Sequence, residues 1–478
     1  MPIDDLRDFA TFAEHIGASY GELHAFSDPE DNTFTYTELA EAVSGGPAGA
    51  SLDMRGAAIA VRLPNSPERL IAVMTLLAAG ATVIHVPVSL TAAQLESVLE
   101  RSRPAAILDH DGYTTFEGGP IYSYRNTAAI MFSSGSTGYP KGIKLSETNL
   151  LTNIAGFLRA VPTDVGERTI SLLPASHSFG HVVGELVALA AGATIHYPDT
   201  LGLLDFREIE DARTSLLVAV PRMVEKLVEH LDDGNKLPAL KRVICGGAAL
   251  APSSAAALAG HGVEVLPGYG LTETGPVISV NRPGKERVDT VGPPLDEVQA
   301  RIAENGSLEV RGPSVMVGYL GDDSAAHLEE GGWFNTGDLA RIEGDGHIVV
   351  LGRTDDPIVL STGVKLAPQP IEQAVLGVPG IENVIITGTD HKHIVALVWS
   401  DLDHEGRSEA MVRIAEATWT GRDAEQVLAV LFVEEPLSVE DGTLTATGKP
   451  NRRAVLARHA ADIDKIYEVE APSVGSDG

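Results

Sequence analysis

Residues Ser133–Gly142 read SSGSTGYPKG, and no other stretch limits the fold of this chain as much. The preceding run, Thr127–Phe132 (TAAIMF), has the length and composition of a buried strand. Lys144–Asn149 then leads into a helical pattern over Leu150–Val161. The run is therefore expected to leave a strand as a loop at a sheet edge. Gly135, Gly138 and Gly142 admit backbone geometries closed to other residues and let the main chain approach a ligand. Ser133, Ser134, Ser136 and Thr137 supply hydroxyls, and Lys141 supplies a mobile positive charge. Successive N–H groups in such a loop form an anion-binding nest suited to a polyphosphate. It is not the GxxxxGK[ST] loop, because Pro140 occupies the position of its second glycine. A flexible Gly/Ser linker is the bland alternative, and a buried strand on one side with Pro-Lys-Gly on the other disfavours it.

The formal charge of −31 argues against nucleic acid and anionic membrane surfaces as partners. The single cysteine, Cys245, excludes intrachain disulfides and fits a reducing cytoplasm. Met1–Asp8 is acidic, so no signal peptide is expected. Leu70–Leu90 has the length of a membrane span. Its punctuation fits a globular core better. Ser66 suits an N-cap, Pro67 a first turn, and Gly80 a helix stop before a strand over Ala81–Val86. Thr91 and Gln94 have the spacing of a capping box.

From residue 56 to about 270, strand-like and helix-like stretches alternate, which implies layered α/β structure with largely parallel sheets. Expected strands include Ala105–Asp109, Thr169–Leu173, Thr194–Tyr197, Ser215–Val220, Arg242–Cys245 and Val263–Leu266. After Asn281 the texture turns β-rich, with Gly turns at Glu304-Asn305-Gly306 and Gly344-Asp345-Gly346. A smaller α+β unit follows Arg353, and Ala471–Gly478 reads as a disordered tail. Two domains are expected, over residues 1–354 and 355–478.

Further runs share the texture of the first. They include Leu173–His181 (LPASHSFGH), Val218–Leu231 (VAVPRMVEKLVEHL), Cys245–Ala248 (CGGA) and Gly268–Thr274 (GYGLTET). Beyond them lie Glu309–Tyr319 (EVRGPSVMVGY), Trp333–Asp338 (WFNTGD), Gly352–Glu372 (GRTDDPIVLSTGVKLAPQPIE) and Ser438–Arg453 (SVEDGTLTATGKPNRR). With SSGSTGYPKG, this set resembles the acyl-adenylating superfamily of acyl-CoA synthetases, luciferases and peptide-synthetase adenylation domains. The VPR-x-x-EK and APQPIE segments resemble the long-chain fatty-acid CoA ligases in particular.

That resemblance implies a large adenylation domain, a small mobile C-terminal domain and a set of roles. Ser133, Ser134, Gly135, Ser136, Thr137, Gly138 and Lys141 would cradle the ATP phosphates, and Thr272 would bond the α-phosphate. Gly247, Ala248, Tyr269 and Gly270 would border adenine. Asp338 would accept hydrogen bonds from the ribose hydroxyls, Arg353 would touch ribose or phosphate, and Glu273 would bind Mg²⁺. His177, Phe179, Gly246, Gly247, Gly268 and Leu271 would form the acid pocket. Lys449 would be the adenylation lysine, and Asp355 the hinge. Ser361–Gly363 would enter the site for thioester formation.

The implied reaction converts an acid and MgATP to an acyl-adenylate, which passes the acyl group to the CoA thiol. A fatty acid is the first expectation. Aryl acids or nitrous acid, with a carrier-protein thiol or an amine as acceptor, are the alternative. A non-catalytic nucleotide-binding homologue is a third class, which Glu273, Asp338, Arg353 and Lys449 argue against. Amino-acid activators carry an Asp within the Pro174–His181 stretch, and none stands there in this chain.

Overall fold

The computed structural model describes residues 6–28, 30, 32–47, 54–116, 124–133, 141–199, 204–321, 328–354, 357–438, 441–444 and 450–469. Residues 134–140, Asp355 and Lys449 lie outside this set, as does the tail 470–478.

The expected α/β layering is present. One sheet runs in the order Ser279–Val280, Glu264–Tyr269, Arg242–Cys245, Leu216–Ala219, Arg168–Ile170, Thr194–His196, His24–Ser27 and Thr33–Thr35. Its inner strands are parallel, and the two edge strands are antiparallel. A second sheet runs Gly318–Tyr319, Lys141–Leu145, Ala129–Ser133, Thr82–His85, Ala58–Val61, Ala106–Asp109 and Gly112–Thr115. Its parallel strands at Ala58–Val61 and Thr82–His85 are buried along their whole length. Crossover helices cover both faces of such strands, which is why they read as continuous apolar runs.

Helix punctuation follows the sequence closely. Ser66 accepts a hydrogen bond from the Arg69 amide and starts Pro67–Ala78, and Gly80 follows with φ +77°. Thr91 and Gln94 form the reciprocal capping box of Ala92–Ser102. Leu70–Leu90 is thus a helix and a strand, and no helix among the described residues is long and apolar enough to cross a membrane. Helix Pro221–Asp232 buries Met223, Val224, Leu227 and Leu231 on one face, as its pattern requires.

The segment after the glycine-rich loop needs correction. Lys141–Leu145 is a strand paired antiparallel with Ala129–Ser133, not a lead-in to a helix. Ile143 and Leu145 are fully buried in that strand. The helix begins earlier than expected, at Glu147, because Ser146 and Asn149 cap it reciprocally. The loop therefore joins two antiparallel strands.

The β-rich region forms a third sheet of Gln299–Ile302, Ser307–Arg311, Trp333–Ile342 and Leu328–Glu329, with Ile348–Arg353 paired to Trp333–Ile342. The last part of the chain builds a three-stranded sheet of Ile381–Thr387, Ile394–Ser400 and Val427–Phe432. Helices Pro368–Leu376 and His404–Ala417 share its apolar core through Ile371, Val375, Ala410 and Ile414.

Candidate active site

The turn Tyr269–Glu273 reaches a different part of the molecule through each of three side chains. It leaves the C-terminal end of strand Glu264–Tyr269 and closes as a short 3₁₀ turn over Thr272–Thr274. Strand carboxyl ends are where open α/β sheets bind ligands. Gly270 is wedged here: a Cβ would lie 1.9 Å from the Pro276 carbonyl oxygen, so no side chain fits. Gly268 pairs with Val280 across the edge of the sheet, and Leu271 is half-buried against the main core.

The first contact is to the third sheet. The Tyr269 hydroxyl donates to Asp338 Oδ2, and Arg353 Nη1 donates to Asp338 Oδ1 at 3.2 Å. Arg353 also reaches the Thr336 carbonyl at 3.2 Å. Asp338 and Arg353 face each other directly in the strand register, which fixes this pair. Burial, and then the Asp338 carboxylate, push the Tyr269 hydroxyl well above its ordinary pKa. Tyr269 is therefore a hydrogen-bond donor at neutral pH.

The second contact is to the segment Leu173–His181. The hydroxyls of Ser178 and Thr272 lie 3.0 Å apart. Phe179, one residue on, opens a π-helix over Phe179–Leu186. Its ring rests on Gly246, where a Cβ would come within 2.9 Å of Phe179 Cζ. Gly247 follows with φ +87°, a conformation that favours glycine, and is exposed together with Ala248. The His177 Nε2 atom is buried without a hydrogen-bond partner among the described residues. Burial lowers the His177 pKa, so the ring is neutral at pH 7.

The third contact is to the second sheet. Tyr319 donates its hydroxyl to Glu273 Oε1 at 3.0 Å. Glu273 Oε2 makes no hydrogen bond to a described residue. A half-buried carboxylate with one oxygen oriented and one open suits a hard cation that takes oxygen ligands. Tyr319 pairs with Ile143, and the Lys141 ammonium lies 5.6 Å from the centre of the Tyr319 ring. Lys141 is exposed at the start of its strand.

These contacts bring His177, Phe179, Gly246, Thr272, Glu273, Tyr269, Asp338, Arg353 and Lys141 around one turn. Ser133 ends its strand opposite Lys141, and its side chain is not described. Ser134, Gly135, Ser136, Thr137, Gly138, Asp355 (expected as the hinge) and Lys449 (expected as the adenylation lysine) lie outside the described residues. The sequence assigns no role to Tyr319, although it closes the run EVRGPSVMVGY. Its placement beside the strand Lys141–Leu145 becomes visible only through strand pairing.

Residues 13–120 and 118–320 match the family model of AMP-binding enzymes, and residues 355–471 match that of the AMP-binding enzyme C-terminal domain. A chloroplastic long-chain-fatty-acid–[acyl-carrier-protein] ligase of Arabidopsis thaliana is 27% identical over 72% of this chain and 63% of its own length. The chain thus spans less than two thirds of that relative. A feruloyl-CoA synthase of an Amycolatopsis species is 31% identical over 54% of this chain and 56% of its own. An anthranilate CoA ligase, solved with anthranoyl-AMP, superposes with a TM-score of 0.82 at 18% identity, covering 98% of this chain and 100% of that one. With the family model spanning most of its length, this chain belongs to the AMP-binding enzyme family.

Proposed function

We propose that the chain is an ATP-dependent acid-activating ligase. The reading rests above all on the Tyr269–Glu273 turn, which joins the Ser178 segment, the Asp338–Arg353 pair and Tyr319. A carboxylate oxygen of the acid attacks the α-phosphorus of ATP. Pyrophosphate leaves, and an acyl-adenylate forms. The CoA thiol then attacks the acyl carbon and AMP departs, leaving a thioester.

The residues divide between alignment and charge neutralisation, the two needs of phosphoryl transfer without covalent help from the protein. Ser133, Ser134, Gly135, Ser136, Thr137, Gly138 and Lys141 hold the phosphates. Thr272 donates to the α-phosphate and, through Ser178, keeps the acid segment in register with it. Glu273 is the residue to hold Mg²⁺, which neutralises phosphate charge when bound. Tyr269, Gly247, Ala248 and Gly270 border adenine, and Asp338 accepts from ribose hydroxyls while Arg353 steadies it. His177, Phe179, Gly246, Gly268 and Leu271 line the acid pocket. Lys449 completes the adenylation site, and rotation of residues 355–478 about Asp355 exchanges it for the Ser361–Gly363 loop.

A fatty acid is the first substrate class. An aryl acid is the second, favoured by the Phe179 ring lying over Gly246 and by the feruloyl-CoA synthase relative. A carrier-protein thiol, as named for the Arabidopsis relative, or an amine is the alternative acceptor. Pyrophosphate release over a panel of fatty, aryl and amino acids, with and without CoA, tests the reading. Acid-dependent release with CoA-dependent loss of adenylate is expected. Release independent of any acid contradicts it.

A further inference from the structure

The stretch Asn65–Arg69 belongs to the second sheet's layer, yet it grips the acid segment of the first. Asn65 Nδ2 donates to the Leu173 carbonyl at 2.7 Å and to Ser171 Oγ at 3.0 Å, and Asn65 Oδ1 accepts from the Ala175 amide at 2.8 Å. Arg69, in the first turn of the helix Pro67–Ala78 that follows, donates through Nη2 to the Ala175 carbonyl. Its Nη1 donates to Glu185 Oε2 at 3.1 Å. Glu185 lies at the far end of the π-helix that Phe179 opens. Two side chains therefore hold both ends of the piece that carries His177, Ser178 and Phe179.

The grip is buried and electrically closed. Arg69 is 2% exposed and Glu185 fully buried. Arg69 Nη2 lies 3.0 Å from His85 Nδ1, and an arginine can only donate, so His85 accepts there. His181 Nδ1 lies 2.8 Å from the same Glu185 oxygen, and Tyr197 donates to the other oxygen at 3.1 Å. Both imidazoles are neutral, held so chiefly by burial. One positive and one negative charge remain, and they face each other.

A buried ion pair is seldom more stable than apolar side chains of the same volume. Its worth lies in fixing a geometry. Pro174 and its neighbours belong to no strand or helix, so their own backbone does not set their position. We infer that Asn65 and Arg69 are positioning residues for the acid-binding segment, setting where His177 and Phe179 meet the substrate without touching it. This rests on the adenylation reading for the meaning of that segment.

Initial-rate kinetics and peptide-level hydrogen exchange on the full chain test it. In Asn65→Ala the KM for the acid rises about tenfold while the KM for ATP stays within about twofold. Amide exchange over residues 173–185 accelerates about tenfold, and exchange elsewhere is unchanged. Asn65→Asp recovers part of both effects, since it keeps the acceptor for the Ala175 amide. Arg69→Lys behaves like Asn65→Ala, because an ammonium cannot span the fork that reaches Ala175, His85 and Glu185. Unchanged exchange over 173–185 overturns the inference. So does a parallel rise of both KM values with faster exchange throughout, which marks a general scaffold. The exchange measurement needs no turnover, so a failure of the adenylation reading leaves this test intact.

Discussion

The Tyr269 hydroxyl donates to the carboxylate of Asp338, across the junction of two sheets whose strands are far apart in sequence. Arg353 occupies the other carboxylate oxygen. On the proposed reading, a nucleotide ribose joins a carboxylate that is already oriented, and this preorganisation lowers the entropy cost of binding. Asp338→Ala removes the acceptor and leaves the Tyr269 hydroxyl without this bond. Hydrogen bonds to charged groups contribute about 1.5–3 kcal/mol, so ATP affinity is expected to fall by about ten- to a hundredfold. Calorimetric titration with ATP checks it; unchanged affinity contradicts the role of Asp338.

Gly246 offers a test of the acid pocket that leaves the nucleotide alone. A Cβ there meets the Phe179 ring at 2.9 Å, so Gly246→Ala must displace the ring from its present position. Overpacking of this kind costs about 1–3 kcal/mol. Long or aromatic acids should lose about tenfold or more in kcat/KM, short acids less, and the KM for ATP should hold. Equal losses for all acids would show that the ring does not border the substrate.

Tyr319→Phe isolates the orientation of Glu273. The change removes one donor to a carboxylate and nothing from the strand pairing. The Mg²⁺ concentration needed for half-maximal ATP binding should rise by about tenfold, the scale of one charge-assisted hydrogen bond. A magnesium titration followed by calorimetry measures it, independent of turnover. No shift would mean that Glu273 is held by other groups when the metal is bound.

Buried neutral histidines give stability a pH dependence of known sign. The folded-state pKa values of His85, His177 and His181 are lowered, each mainly by burial. The unfolded chain takes up protons near pH 6.5 and the folded chain does not, so stability falls as pH drops below that point. Each histidine contributes up to about 1.4 kcal/mol per pH unit in that window. Urea midpoints at pH 7.5, 6.5 and 6.0 should decline in that order. Replacement of His85 by Gln should make the decline shallower. A midpoint that rises on acidification would contradict the buried neutral state.

The sequence makes some of this legible and hides the rest for physical reasons. Helix starts at Ser66 and Thr91 are local, set by residues three apart, and they match the structure. The short runs GYGLTET and WFNTGD mark the two halves of the Tyr269–Asp338 contact. That they meet depends on sheet packing, which no spacing encodes. The strand Lys141–Leu145 is hidden because its Lys-Gly-Ile-Lys-Leu pattern is too short to separate from a loop. Asn65 and Arg69 read as ordinary polar residues at a helix start. Apart from His85, their partners are 106 to 116 residues away, in the irregular segment and at Glu185.

Isotope exchange between pyrophosphate and ATP, measured over the acid panel, tests the central claim most directly. Adenylation predicts exchange that requires a carboxylic acid without an α-ammonium group, with AMP rather than ADP accumulating once CoA is added. The proposed pocket favours this head group because Phe179, Gly246, Gly247, Gly268 and Leu271 include no carboxylate to pair with a buried cation. Lys449→Ala should lose the exchange by about 3 kcal/mol of transition-state stabilisation while transfer from synthetic adenylate survives. Exchange that is fastest with an α-amino acid, or ATP turnover to ADP and phosphate, would contradict the account.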